Sequence, residues 1–508
     1  MQTWNTRTST LFESLRRHRI LLIVLVLHCA LWAGFDQFFS PHPDYIDHWT
    51  QSRHLSLSYY EHPPGVALLI RGLTTLLGNS EASLQAAALA VNLALLALGY
   101  GLARRLYGAL AGIFTLAAFE ATVFFQVKAT AIQTEQPLVL FWLLSLAIAI
   151  DYLSRGGKGR LLLLGVTTGL GALSKYSMVL FYVGLFVYYL VVPSRRRELL
   201  NPWQYVGGLV SLLVFSPVLI WNYQHEWESF RFQLSKGGVQ PGIVFGTGSV
   251  NFLLGFLFLY GTVLVVWVLW RMLRQVARRE LPDGPDTLLV MMSLVPVVFF
   301  TVTLLRSIYS DPQVAVIAMI SMHVWLGGEA SRLWERGRRR FIAWGLGSAL
   351  AINAALLVLV IAHAVHPFLP IDPLWDPTRQ IVGWREAGAE TEQLLRERGI
   401  PQPAYVASAF YPLSSQFELH MSGHPLPFSF RREERDLWIP AGAMTPENTL
   451  LVCVEEECNW LPPLAARRFG WTLKEVGSVR PVVWGTPRQE VRLFRAISPA
   501  DAKSGLSR

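Results

Sequence analysis

The sequence predicts a mainly helical, polytopic membrane protein with about eleven transmembrane helices, followed by an α/β domain at the carboxyl end. Three observations carry this expectation. Charged residues make up 16% of the 508-residue chain, against roughly a quarter in average soluble proteins. The apolar residues come in runs that approach the ~20 residues a membrane helix needs. After residue 365 those runs stop, and shorter segments with strand-like or helical spacing replace them.

In chain order the candidate spans are 20–39, 82–102, 109–125, 137–152, 161–173, 178–192, 205–221, 250–270, 287–305, 314–326 and 341–364. Basic residues favour the cytoplasmic ends of spans. Arg16, Arg17 and Arg19 precede the first span, and the even-numbered connections carry Arg104 and Arg105, then Arg155, Lys158 and Arg160, then Arg195, Arg196 and Arg197. Arg271, Arg274, Arg278 and Arg279 follow, then Arg332, Arg336, Arg338, Arg339 and Arg340. An odd number of spans puts every cluster on one side, with the amino terminus inside and the tail outside. The expected domains are therefore a membrane domain over residues 1–365, with an outer loop at 40–83, and an extracytoplasmic domain over 366–508. The first span lacks a small-x-small cleavage site, which argues against a removed signal sequence.

Within the tail, 378–399 has helical spacing and closes on Gly399. Segments 404–408, 449–454 and 490–495 read as strands, and 461–469 as a second helix. The tail is long enough to bury a core of its own.

Composition also excludes some functions. The net charge of +9 is divided among short loops rather than gathered on one face, so no nucleic-acid partner is expected. The absence of a GxxxxGK[ST] loop from the sequence argues against a nucleotide-driven pump. Three cysteines are too few for a disulfide scaffold. Cys29 reads as a small buried apolar residue. Cys453 and Cys458 are either a short-loop disulfide, which an oxidising compartment permits, or two free thiols.

The polar residues expected on the outer side are few. The first outer loop holds Asp44, Asp47, His48, Arg53, His54, Glu61 and His62, the second Lys128, Gln133 and Glu135, and the third Lys175 and Tyr176. Later loops add His225, Glu226, Glu228, Arg231 and Lys236, then Arg306, Tyr309 and Asp311. Ionisable groups at a bilayer are costly and default to functional hypotheses. Transfer of a sugar from a polyprenyl phosphate fits these types: the lipid tail needs a groove, the phosphate needs cations, and the acceptor hydroxyl needs a carboxylate to take its proton. An ion-coupled transporter also places carboxylates near membrane helices, so residue types alone leave both readings open. Plainer roles compete at each position: a helix cap for Asp44 or Glu135, an interfacial anchor for Lys128, Lys175 or Arg306. His42, Asp44, Asp47 and His48 form an open, irregularly spaced set for a divalent metal.

Residues 44–55 (DYIDHWTQSRHL), followed by Tyr60-Glu61-His62-Pro63-Pro64, resemble the first outer loop of the bacterial GT-C membrane glycosyltransferases related to protein O-mannosyltransferases and lipid A aminoarabinose transferase. Three further segments agree: residues 101–108 (GLARRLYG), Thr134-Glu135-Gln136-Pro137-Leu138 before Phe141-Trp142, and Leu173-Ser174-Lys175-Tyr176. A looser likeness continues through Asp376-Pro377-Thr378-Arg379 and Trp384. The resemblance implies a GT-C fold in which Asp44 is the catalytic carboxylate and Glu135 stands where the family usually has Asp. His62 stands where the aminoarabinose branch has a phosphate-contacting Lys. Tyr45 replaces the Glu of the family's Asp-Glu pair, and Asp47, one helical turn from Asp44, is the candidate replacement.

The expectation is a polyprenyl-phosphate-sugar-dependent glycosyltransferase of the bacterial inner membrane, acting without a cofactor on a cell-envelope glycolipid or polysaccharide. Its catalytic residues are Asp44, Glu135 and Asp47. Lys128, Lys175, Arg306 and His62 hold the donor phosphate. A non-catalytic lipid-linked-sugar transporter or assembly factor is the second reading, kept open by Tyr45.

Overall fold

The structure, a computed structural model, describes residues 19–236, 255, 262–304, 316–371, 376–430, 439–440 and 442–497. Arg306, Tyr309 and Asp311 lie outside the described residues. Residues 250–254 and 256–261 of the expected span 250–270 lie outside the described residues, and most of the other apolar runs become helices close to their expected limits. These are α1 (Arg19–Asp36), α2 (Pro43–Arg53), α3 (Gly65–Leu77), α4 (Glu81–Tyr107), α5 (Ala109–Glu120), α6 (Val123–Val127), α7 (Glu135–Arg155), α8 (Lys158–Ala172) and α9 (Val179–Val191). After them come α10 (Pro202–Gln224), α11 (Glu228–Lys236), α12 (Thr262–Ala277), α13 (Pro285–Leu304), α14 (Val316–Glu335) and α15 (Arg339–Val365).

Among the described residues, 6 helices are each long and apolar enough to cross a membrane, or 7 if one bent pair is a single span. That pair falls in the expected span 109–125, which turns by 79° between Ala109–Glu120 and Val123–Thr130. The break frees backbone groups that side chains then satisfy, as apolar surroundings require. Thr122 Oγ1 donates to Ala118 O (2.7 Å), and Gln126 Nε2 (2.9 Å) and Asn353 Nδ2 (2.7 Å) both donate to Glu120 O.

The described residues divide into two compact units. The first draws on Met1–Ala33, Ser56–Leu69 and Ala86–Leu357. Its core is helix against helix, with few polar ties: Trp142 Nε1 donates to Ser321 Oγ (2.8 Å), and Ser145 Oγ to Thr167 Oγ1 (2.9 Å). Helices α8 and α10 approach so closely that a Cβ on Gly165 would collide with Gly207 O, the small-residue packing that membrane helices use. Several basic clusters read from the sequence are paired with carboxylates. Asp151 takes Arg105 and Arg160, Asp283 takes Arg195, and Asp286 takes Arg332.

The second unit draws on Gly34–Leu55, Ile70–Gln85 and Val358–Arg508. It holds a five-stranded sheet in the order β2-β1-β3-β7-β4. The strands are β1 (Tyr405–Ser408), β2 (Leu426–Ser429), β3 (Thr449–Val454), β4 (Thr472–Val479) and β7 (Val491–Ile497), with β5 (Val482–Val483) and β6 (Thr486–Pro487) as a separate pair. β1 runs parallel to β2 and β3, whereas β7 is antiparallel to β3 and β4. Helices α16 (Trp384–Glu397), α17 (Tyr411–His420) and α18 (Glu457–Phe469) complete the unit. Trp384, Leu395, Val406, Phe417, Leu450 and Leu493 share one apolar cluster. Cys453 and Cys458 are joined as a disulfide between the end of β3 and the start of α18, so the two-thiol alternative does not hold.

Candidate active site

Glu135 is the first residue of α7 and is only 4% exposed. Lys175 Nζ donates to its Oε1 at 2.5 Å, and Lys128 Nζ lies 3.9 Å from Oε2. Lys128 sits in a 3₁₀ turn, Lys128–Thr130. Gln136 braces the loop that brings this turn to Glu135. Its Nε2 donates to Lys128 O (3.1 Å) and to Ala131 O, while its Oε1 accepts from Gln133 N (2.9 Å). Two ammonium groups thus face one carboxylate in a largely water-excluded place, where charge interactions are stronger than in water.

The His-Pro-Pro segment is docked onto the lysine loop. Gly65 N donates to Leu173 O at 2.6 Å, and a Cβ on residue 65 would lie 2.6 Å from that same oxygen. Only glycine permits this approach of two backbones. His62 is half-buried three residues earlier, and its carbonyl accepts from Tyr59 N (3.1 Å). Gln233 Nε2 on α11 donates to Glu61 O at 2.5 Å. Segments 60–64 and 173–176, separate motifs in the sequence, are thus parts of one surface.

Tyr176, the residue after Lys175, opens onto an apolar cavity of about 690 Å³ lined also by Met178, Phe186, Leu209, Phe215 and Phe230. A polar seam crosses it, where Thr168 Oγ1 bonds Tyr182 OH (2.7 Å) and donates to Ser211 Oγ (3.3 Å). A cavity this apolar is chemically suited to the tail of a lipid.

Asp44 and Asp47 belong to the second unit, on α2. His42, not Asp44, caps this helix: its Nδ1 accepts from Asp44 N at 3.2 Å. Asp44 is therefore in the first turn, partly exposed, and Tyr411 OH donates to its Oδ1. Asp47 is buried and accepts from Gln51 Nε2 (2.9 Å), whose Oε1 in turn accepts from His48 Nδ1 (3.2 Å). Among the described residues no three His, Cys, Asp or Glu side chains gather as metal ligands. Tyr45 is fully buried and donates to Leu84 O at 2.7 Å. Burial, helped by the charge of Asp36, pushes its phenol well above the ordinary range, so Tyr45 is a neutral core side chain and supplies no carboxylate. The far end of α2 is tied to α17. Glu418, fully buried, accepts from Thr50 Oγ1 (2.5 Å) and pairs with Arg53, whose guanidinium also stacks on Trp49 at 4.2 Å. Burial pulls Arg53 down to about 10, leaving it charged at neutral pH.

Residues 61–221 match the family model described as dolichyl-phosphate-mannose-protein mannosyltransferase. The crystal structure of ArnT from Cupriavidus metallidurans bound to undecaprenyl phosphate superimposes with a TM-score of 0.62 over 94% of this chain and 97% of that one, at 16% identity. Its apo form gives 0.61 over 96% and 98%, at 17% identity. The chain has the fold of ArnT. Lipid A galacturonosyltransferase RgtD of Rhizobium johnstonii is 23% identical over 405 residues, 74% of this chain and 78% of that protein. The resemblance read from the motifs is thereby borne out. The matched segment holds His62, Lys128, Glu135 and Lys175, while Asp44 and Asp47 precede it.

Sequence reasoning placed Glu135, Lys128 and Lys175 on one side of the membrane but assigned both lysines to phosphate, without seeing that they share Glu135. It missed Tyr411 and Glu418 altogether. No local signal marks them, because each reaches its partner across more than 360 residues of chain, 367 for Tyr411 and Asp44 and 368 for Glu418 and Thr50.

Proposed function

We propose that the protein is a glycosyltransferase that moves a sugar from a polyprenyl-phosphate donor to a cell-envelope glycolipid or polysaccharide, at the outer face of the bacterial inner membrane. The observation that carries this reading is Glu135 held between Lys175 and Lys128 inside the segment that matches the family. Preorganised ammonium groups are what a leaving phosphate needs. The undecaprenyl phosphate named for ArnT and the lipid A named for RgtD support the choice of donor and acceptor class.

The chemistry is a single displacement. The acceptor oxygen attacks the anomeric carbon as the bond from that carbon to the phosphate oxygen breaks. Asp44 takes the acceptor proton, and the polyprenyl phosphate departs with the bonding electron pair. Lys175 and Lys128 hold its charge, with His62 and Arg306 as further phosphate contacts, and Glu135 fixes the two lysines. Asp47, one helical turn from Asp44, supports it as the second carboxylate. The donor's isoprenoid tail lies in the cavity beside Tyr176.

The topology proposed with this function has eleven spans, a membrane domain over 1–365, an inside amino terminus and an outside domain over 366–508. Ser194→Cys and Glu397→Cys, both at exposed positions, test it with an impermeant thiol reagent on intact spheroplasts. Labelling confined to Glu397→Cys supports the topology, and labelling of Ser194→Cys overturns it. The function itself is tested by incubating purified protein with an acceptor lipid extract and a panel of polyprenyl-phosphate sugars. Acceptor-dependent release of polyprenyl phosphate supports the enzyme. Donor binding with no release from any panel member favours the transporter reading.

A further inference from the structure

We infer that Tyr411, at the start of α17 in the carboxyl-terminal domain, is the positioning residue for the proposed base, fixing the orientation of the Asp44 carboxylate. The inference rests on the glycosyltransferase reading above and adds to it a residue outside the membrane helices and outside the matched segment.

The phenol of Tyr411 donates to Asp44 Oδ1. A carboxylate attached only through χ1 and χ2 rotates; a donor fixed on one oxygen sets the plane and engages that oxygen's lone pair. Two other polar side chains on this segment are arranged differently. His42 Nδ1 accepts from Asp44 N, so this nitrogen carries a lone pair, and it stands 3.8 Å from Oδ2, too far for a hydrogen bond. Asp47, one turn along, is engaged by Gln51.

Tyr411 is itself rigidly held. It opens α17 immediately beyond the carboxyl end of β1, in the parallel part of the sheet, which is where open α/β sheets carry their working groups. Ser408 Oγ donates to Phe410 O at 2.8 Å to shape the turn. Further along α17, Gln416 Nε2 donates to Pro41 O (3.0 Å) and Gln380 O (2.7 Å), and Glu418 takes Thr50 and Arg53. The helix bearing the proposed base is thus fastened at both ends to the helix bearing Tyr411. The phenol is the one of these fastenings that ends on the carboxylate.

A hydrogen bond to the ionised form favours it, so losing the phenol raises the pKa of Asp44. In the full-length protein, Tyr411→Phe should lower kcat about 10-fold to 10²-fold, the scale of a misplaced catalytic group, with little change in acceptor KM. The acid limb of the pH–rate profile should move up by roughly one unit or more. Infrared difference spectra of the carboxyl band, taken against Asp44→Asn, read the same shift without turnover. Gln416→Leu is the control for scaffold effects: it removes a fastening of α17 and should leave the acid limb in place. The inference is overturned if Tyr411→Phe keeps wild-type kcat and an unmoved carboxyl titration, or if it loses activity with the limb unmoved, as a scaffold residue would. Full activity in Asp44→Asn would instead defeat the underlying reading. An inactive Asp44→Asn beside a normal Tyr411→Phe defeats this inference alone.

Discussion

Lys175 Nζ sits 2.5 Å from Glu135 Oε1, an ion pair whose partners are 40 residues apart in the chain. With Lys128 at the other oxygen, the group is charged and enclosed. Removing one member of a buried pair strands the other, at a cost of about 3–5 kcal/mol, whereas removing both is often neutral. That asymmetry separates a structural role from a chemical one.

Lys175→Met should therefore lose both stability and turnover, the latter by about 10²-fold or more, the scale of losing one preorganised donor. The triple variant Lys128→Met/Glu135→Gln/Lys175→Met, which strands no member of the group, should recover stability in detergent but not turnover. Recovery of both would make the pair a membrane strut and remove Lys175 from the phosphate site.

Gly65 makes a second prediction. Its Cα hydrogen faces Leu173 O where no methyl fits, and overpacking of this kind costs about 1–3 kcal/mol. Gly65→Ala should lower thermal stability by that amount and reduce turnover by displacing Lys175 from Glu135. An alanine variant with unchanged melting and unchanged rate would show that the two loops separate freely.

The sequence carried the membrane helices because apolar runs report burial in lipid whatever the tertiary partners. β3 was legible over its whole length, 449–454, since all six residues are buried and β-rich. Other elements left no such trace. In α17 every residue from Leu413 to Leu419 is buried, so there is no polar face and no helical stripe to read. β4 has an irregular burial pattern and a bulge between Glu475 and Gly477, which breaks the alternation that marks a strand. At the site, sharing a face with Asp44 made Asp47 a natural second carboxylate. That Gln51, one turn further on the same helix, donates to it was not anticipated.

His420 supplies a pH dependence. Burial, then the adjacent Arg385 charge, pulls its imidazole down to about 3. Glu81, 3.8 Å from its ring, is already engaged by Arg385 Nε at 3.0 and 2.9 Å. Between 6.5 and about 3 the unfolded chain binds the proton that the folded chain refuses. Stability is thus full above pH 6.5 and declines as the pH falls toward 3. Chemical unfolding of wild type and His420→Gln over that range should show a shallower acid decline in the variant, and parallel curves would remove His420 from the titration.

The most direct test of the account is the rate of polyprenyl phosphate release by Asp44→Asn, measured beside wild type with the donor that wild type uses. Asparagine keeps the size of the side chain and an oxygen to accept from Tyr411, but loses the basic carboxylate. The account predicts normal insertion, retained donor binding and release slowed by about 10² to 10⁴-fold, the usual contribution of a general base. Release at the wild-type rate would contradict it.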